Sequence, residues 1–342
     1  MKENFKRAVL WEGAEGKKIR CKLCNWRCLI AEGRLGRCCV RKNVDGVLYS
    51  LNYDKVCSAN VDPIEKKPLF HFQPGSKSFS IATMGCNFQC EFCQNWQISQ
   101  AVIEDGQIDG QAISPEQIVA MAVREGCKSV AYTYTEPTIF MELCEDCGRL
   151  AKKSGLANVF VSNGYMTREA IDFSKDWLDG INVDLKAFSE DYYKRLCKAR
   201  LQPVLDTIRY IAKETNIWME ITTLLIPGQN DSDDELKKLA EFLVSEAGSD
   251  VPWHVSRFYP QYKYLDSQAT PAATLERAAE IGSQAGLHYV YMGNVPGAKE
   301  EKTFCYNCGK LLIERVGYRV GANNIEDGSC PDCGVKIAGF EL

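Results

Sequence analysis

No stretch of this chain reaches the roughly 18 to 20 consecutive apolar residues that a membrane-spanning helix needs. The opening residues, Met1-Lys2-Glu3-Asn4-Phe5-Lys6-Arg7, mix charges and lead into no extended apolar segment, so no secretory leader is expected. Lys and Arg form no long runs, and the formal net charge is −4, which argues against a general electrostatic attraction to nucleic acid or to an anionic membrane. Internal repeats and low-complexity linkers are missing too. What remains is globular: 342 residues, 45% hydrophobic and 25% charged, enough for one large domain with smaller appendages. The expectation is a soluble, cytoplasmic protein.

Cysteine is the outlier. An odd count of 17, in a long chain without a leader, points to metal binding in a reducing compartment and away from a disulfide framework. The cysteines fall into three groups plus scattered singles. Residues 1–74 hold Cys21, Cys24, Cys28 and Cys38 in short charged and Gly-containing stretches, which reads as a small cysteine-rich N-terminal domain. Residues 303–342 form a tail with two Cys-x2-Cys pairs.

Between them, over 75–302, short apolar runs alternate with longer amphipathic stretches. The runs are Phe79–Thr83, Ser129–Tyr134, Ala157–Ser162, Gly180–Asp184, Ile217–Leu225, Pro252–Ser256 and Tyr289–Tyr291. Helical patterns cover 115–125, 139–153, 168–177, 233–246 and 271–285, the first opened by Ser114-Pro115-Glu116-Gln117 as N-cap, first-turn Pro and capping-box Gln. Strand, helix, strand at this spacing predicts a parallel α/β sheet with right-handed crossovers, open or closed as a barrel, whose chemistry sits at the C-terminal ends of the strands. Polar clusters fall at those ends: Cys86 to Cys93, Thr135-Glu136-Pro137, Ser162-Asn163-Gly164, Asp184-Leu185-Lys186 and Pro227-Gly228, with His254 in the sixth run.

The first cluster carries the most chemistry. Cys86, Cys90 and Cys93 form a C-x3-C-x2-C array that wraps a short loop around a 4Fe–4S cluster and supplies three thiolates where an ordinary cluster takes four. One iron is left open, as a catalytic metal needs and a structural metal does not. A zinc site with a distant fourth ligand, or three unrelated thiols, is the plainer alternative.

This array, with Phe92 and the following Gln94-Asn95-Trp96, resembles the signature loop of radical S-adenosylmethionine (SAM) enzymes. The resemblance implies that the amino and carboxylate groups of SAM chelate the open iron, that an electron from the cluster cleaves the sulfonium, and that a 5′-deoxyadenosyl radical takes a hydrogen atom from the substrate. It implies cofactor contacts for Phe92 and Asn95. It also implies that Thr135 and Glu136 grip the methionine amino group, although Tyr134-Thr135 stand where the family has two glycines. Ser162 and Asn163 are implied near SAM, Asp184 and Lys186 at its ribose or carboxylate, Leu225 to Asp231 against adenine and His254 near the ribose. A narrower resemblance, to the radical SAM enzymes of the AmmeMemoRadiSam system, rests on Asp62 to Phe72, on the Cys86 array, on Trp253 to Phe258 and on Tyr291 to Asn294. That family is similar to pyruvate formate-lyase activating enzymes. The fold it implies is a partial (β/α)6-type radical SAM barrel with small cysteine-rich extensions at both ends.

The outer cysteines point to further metals. Cys305-x2-Cys308 and Cys330-x2-Cys333, each followed by Gly, form two knuckles suited to one tetrahedral ion, zinc or else iron of rubredoxin type. Cys21-x2-Cys24-x3-Cys28-x9-Cys38 fits zinc or a second iron–sulfur cluster, with Cys39 and Cys57 competing as fourth ligand. Lys66, Lys67 and His71 precede the catalytic loop and could reach its mouth, while Cys127, Cys144, Cys147 and Cys197 read as buried or spare thiols. The leading function is a SAM-cleaving oxidoreductase that abstracts hydrogen from a protein or peptide, activase-like, served by a low-potential donor such as a flavodoxin or ferredoxin. SAM-radical modification of a small molecule and a non-catalytic metal-dependent binding protein are the alternatives.

Overall fold

A computed structural model of the chain describes residues 5–295 and 299–342, so the first four residues of the N-terminal segment lie outside the described residues. Six short strands open it: β1 (Lys6–Arg7), β2 (Trp11–Gly13), β3 (Ile19–Cys21), β4 (Leu29–Ile30), β5 (Arg41–Val44) and β6 (Val47–Ser50). They pair antiparallel in the orders β1-β6-β5 and β2-β3-β4, two sheets too small to bury much alone.

The main sheet follows. Its strands are β7 (Lys55–Pro63), β8 (Lys77–Thr83), β9 (Gln111–Ala112), β10 (Ser129–Tyr132), β11 (Ala157–Ser162), β12 (Gly180–Asp184), β13 (Trp218–Leu225), β14 (Trp253–Arg257) and β15 (Val290–Gly293). The order is β15-β14-β13-β12-β11-β10-β8-β7-β9. All seven apolar runs become parallel strands, β8 and β10 to β15, one more than the six of a (β/α)6 half-barrel. Every residue of β10 is buried, as expected of a strand covered on both faces. Helices Pro115–Arg124, Met141–Lys153, Arg168–Ser174, Gln202–Glu214, Asp233–Ala247 and Ala272–Ala285 supply crossovers. The Ser114/Gln117 capping box forms as expected, each side chain bonding the other's backbone N–H. Among the described residues no helix is long and apolar enough to cross a membrane.

One boundary moves. Lys55–Pro63, which the sequence reading assigns to the N-terminal domain, pairs antiparallel with β8 along nearly its whole length and so belongs to the main sheet. The C-terminal tail forms β16 (Thr303–Phe304), β17 (Leu311–Val316) and β18 (Arg319–Asn323).

A buried polar network underlies the sheet. Glu220, third in β13, accepts from the backbone N–H of Phe70 (2.9 Å) and of His71 (2.7 Å), from Trp218 Nε1 (3.0 Å) and from His254 Nε2 at 2.6 Å. The guanidinium of Arg315, on β17, donates to Thr303 Oγ1 and Phe70 O and lies 3.6 Å from the Glu65 carboxylate, all of it buried. Thr303 bonds Tyr291 on β15. The tail thus ties the segment after β7 to β15.

His71 completes the chain of donors. Its Nδ1 faces Ala338 O at 2.7 Å and so carries the proton, leaving Nε2 to accept from Tyr291 OH at 2.6 Å. Burial pushes its pKa down to about 4. The unfolded chain takes up a proton near pH 6.5 that the folded chain refuses, so stability falls as pH drops below 6.5. We expect a loss of about 2 kcal/mol between pH 6.5 and 5 from this residue. Anaerobic thermal melts of His71→Gln should show a shallower pH dependence than the wild type over that window, and equal slopes would contradict the assignment.

Candidate active site

The cysteine loop leaves β8 after Thr83 and is held from two sides. Gly85 has φ +107°, and a Cβ there would lie 2.9 Å from Val40 Cγ1, 3.1 Å from Ile139 Cδ1 and 3.3 Å from Cys38 O. Only glycine lets the catalytic loop lean this closely on the N-terminal lobe. Gly85→Ala should therefore cost about 2–5 kcal/mol from backbone strain and overpacking together. The measurement is a lowered melting temperature with reduced iron uptake, and an unchanged variant would show that the close approach is not needed. On the far side, the backbone N–H groups of Gln89 and Glu91 donate to the carbonyls of Cys197 (3.1 Å) and Leu196 (3.0 Å). Those two carbonyls end Tyr193–Cys197, a single turn of π-helix, an element that often marks functional sites.

Cys197, read from sequence as a spare thiol, is a buried neighbour of Cys90, and the two thiols shift each other's pKa. Ser99 Oγ lies 3.2 Å from Cys93 Sγ, and the backbone N–H of Phe88 points at Cys86 Sγ from 3.4 Å. Burial pushes the Cys86 and Cys93 thiols up, so binding iron must displace their protons.

The three cysteines open into a cavity of about 450 Å³ bounded by the C-terminal ends of the strands. Phe92 and Asn95 line it from the loop, Thr135 and Glu136 follow β10, Asn163 follows β11, Asp184 ends β12 and Lys186 follows it. Glu136 is 1% exposed and its carboxylate is already engaged. Oε1 accepts from Ser162 Oγ (2.8 Å) and from Thr138 Oγ1 and N, and Oε2 accepts from Asn163 N at 2.8 Å. Burial pushes its pKa up against these donors. Ser162 therefore acts through Glu136 and does not line the cavity. Lys186 Nζ pairs with Asp184 at 2.9 Å, and that partner with the thiols of Cys90 and Cys197 raises its pKa despite burial.

His254 is placed elsewhere. It is second in β14, bonded to Glu220 beneath the sheet, and the cavity is lined on that strand by Ser256, two residues nearer the C-terminal end. The segment Leu225 to Asp231 contributes no lining residue, whereas Leu224 does. His71 lies beneath the sheet too, while Lys66 and Lys67 do reach the cavity.

Tyr134 stands where the family pattern has glycine and pays a conformational cost, adopting φ +65°. Its hydroxyl bonds Asp62 and Lys67 Nζ sits 4.5 Å from its ring centre, while its carbonyl accepts from Asn95 Nδ2 at 2.8 Å. Lys67 is buried against Asp62 at 2.6 Å, and desolvation pushes its pKa down to about 8. Sequence reasoning missed this Asp62–Lys67–Tyr134 group because it joins β7's end to a loop some 70 residues later. Tyr318, at the turn between β17 and β18, also lines the cavity.

A three-cysteine cluster with SAM fits this donor set. The cysteine sulfurs are not drawn together as around one small ion, the cavity offers a carboxylate, an ammonium and apolar walls from Phe92, Val161 and Leu224, and the buried Thr222 hydroxyl facing it has no partner. The tail differs. The sulfurs of Cys305, Cys308, Cys330 and Cys333 all lie within 4.8 Å of one another, the one such group of three or more candidate ligands among the described residues. Each knuckle closes with matching bonds, Gly309 N to Cys305 O (2.8 Å) and Gly334 N to Cys330 O (2.9 Å), with both glycines at positive φ. Cys21, Cys24, Cys28 and Cys38 ring a void of their own, while Cys39 and Cys57 turn to the carbonyls of Arg37 and Ala82.

Comparison with known proteins agrees with this geometry. The Radical SAM superfamily profile matches residues 80–243. The uncharacterized protein MJ0808 of Methanocaldococcus jannaschii is 44% identical over 335 residues, covering 97% of this chain and 99% of its own. A second protein of that organism, MJ1632, named as a candidate glycyl-radical enzyme activating enzyme, is 29% identical over 225 residues, 64% of this chain and 80% of its own. Among solved structures, a radical SAM methyltransferase from Sphaerobacter thermophilus superposes with a TM-score of 0.51 at 16% identity, over 70% of this chain and 71% of that one.

Proposed function

This chain belongs to the radical SAM superfamily, and from that membership we propose that it abstracts a hydrogen atom from a protein or peptide segment, in the manner of a glycyl-radical-enzyme activating enzyme. With the cluster and SAM bound, the site supplies one-electron cleavage of the SAM sulfonium and a 5′-deoxyadenosyl radical. The chain's side chains do the rest. Cys86, Cys90 and Cys93 hold the cluster and leave one position for SAM. Lys186 meets a carboxylate, Asp184 an ammonium or ribose hydroxyl, and Asn163 and Asn95 add donors at the rim. Glu136 positions: it fixes the strand ends of β10 and β11 through its four accepted bonds.

The observation that carries the substrate class is the size of the cavity. About 450 Å³ lies toward the lower end of the roughly 300–1,000 Å³ that encloses one drug-sized molecule. With SAM in a cavity sized for about one such molecule, a second partner would enter as a side chain or extended backbone presented from outside. Zinc in the tail, an electron donor of the flavodoxin or ferredoxin class, and a cytoplasmic setting complete the proposal. We divide the chain into an N-terminal metal lobe, a SAM barrel from Lys55 to residue 302, and a metal ribbon over 303–342.

The test is anaerobic reconstitution, reduction with dithionite and measurement of 5′-deoxyadenosine, followed by tracking of deuterium from labelled polypeptides into that product. An intact cluster that yields no 5′-deoxyadenosine with any candidate sinks the chemistry. Deuterium arriving from a small metabolite and never from a polypeptide sinks the substrate class alone.

A further inference from the structure

Two four-cysteine groups flank the barrel, and their geometry differs in kind. A tetrahedral zinc or iron with metal–sulfur bonds of about 2.3 Å brings its sulfurs to about 3.8 Å of each other. The tail group matches, with Cys305–Cys333 at 3.6 Å and Cys308–Cys330 at 3.7 Å. The N-terminal group does not. No three of its sulfurs lie within 4.8 Å of one another. Cys86, Cys90 and Cys93, at the site of the expected cubane, are splayed in the same way. The N-terminal group thus shares with the catalytic triad the lack of the close sulfur packing that the tail shows.

The centre of that group reinforces the point. Cys21, Cys24, Cys28 and Cys38 ring a void walled by Leu23, Ile30 and Ile139, with two arginines at its edge. Arg41 is 1% exposed, and although one of its nitrogens pairs with Glu142 at 2.7 Å, its Nε and Nη1 have no partner. Buried guanidinium N–H groups left unpaired cost on the order of 1–3 kcal/mol each unless something accepts them. Arg37 also leaves its Nε buried and unpartnered. A four-thiolate cubane carries net negative charge and sulfide acceptors, which answer the spare donors that Glu142 leaves unpaired.

We propose that Cys21, Cys24, Cys28 and Cys38 hold a second 4Fe–4S cluster, fully ligated by protein and structurally joined to the catalytic loop. The joint is direct. Trp26, on the wall of the void, donates from Nε1 to Asn87 O at 2.9 Å, and Asn87 follows Cys86. Gly85 leans on Cys38 from the other side. A second one-electron centre thus sits immediately behind the first.

The experiment uses the full chain with Cys86, Cys90 and Cys93 all changed to alanine, purified and reconstituted anaerobically with iron and sulfide. Acid-labile sulfide decides the matter, because a mononuclear site holds none. We expect about four irons and about four sulfides per chain, with the Mössbauer doublet of an oxidised cubane, lost on further Cys21→Ser/Cys38→Ser substitution. Absence of sulfide overturns the proposal, whether the four thiols then hold zinc, one iron or nothing. Should the triple variant fail to fold, the wild type answers instead: about eight sulfides per chain support the second cluster and about four overturn it. No step involves SAM, so this result stands apart from the fate of the catalytic reading.

Discussion

Changing Cys90 to alanine should lower 5′-deoxyadenosine formation at least about a thousandfold, to the level of a blank, while leaving the barrel folded. The triad has no spare member, since an open iron is the purpose of the three-cysteine count and two thiolates cannot hold a cubane in place. One neighbour complicates the test. The Cys197 thiol is a buried neighbour of Cys90 and offers itself as a substitute ligand. Cys90→Ala should therefore be compared with Cys90→Ala/Cys197→Ala, with iron content and product read together. If the single variant keeps partial activity and the double variant loses it, Cys197 serves as a reserve ligand. Full activity in the double variant would remove Cys90 from the site.

A comparably large effect on stability is expected beneath the barrel. Glu220→Ala leaves four donors without an acceptor, namely two backbone N–H groups, the Trp218 indole and the His254 ring. His254 lowers the carboxylate's pKa despite its full burial, so the native state is built around the charged form. Removing one partner of such a buried group costs about 3–5 kcal/mol. Glu220→Gln, which keeps an acceptor oxygen, should cost about 1–3 kcal/mol. In anaerobic melting the alanine variant should fall by roughly 5–10 °C and the glutamine variant by less. Equal and small shifts would mean that water replaces the carboxylate, and that the base of the barrel is not dry.

Much of this was legible in the sequence because it is local. Seven apolar runs gave seven parallel strands, and a strand buried on both faces reads as an uninterrupted apolar segment wherever it stands. The cysteine spacings were legible because a knuckle or a cluster loop fits within a few residues. His254 misled for a related reason. A histidine near a strand end looks like a site residue, but the strand climbs about 3.3 Å per residue, so side chains on one face stand in successive layers. Two positions separate the cavity-lining Ser256 from a residue under the sheet. The Tyr134 group, Cys197 and Tyr318 stayed hidden because each joins segments far apart in the chain. Their only local sign was a bulky residue where a glycine was expected at position 134. The strand β7 escaped because hairpin pairing across the segment 64–76 outweighs the weak polarity pattern of Lys55–Pro63.

The tail can be considered in another light. Arg315 of β17 joins the segment after β7 to Thr303 at the foot of the ribbon, and the turn that follows β17 sets Tyr318 against the cavity. The ribbon works as a clasp. By linkage, any effect that filling the tail's four-cysteine site has on the affinity for SAM must be matched by an equal effect of SAM on the affinity of that site for its metal.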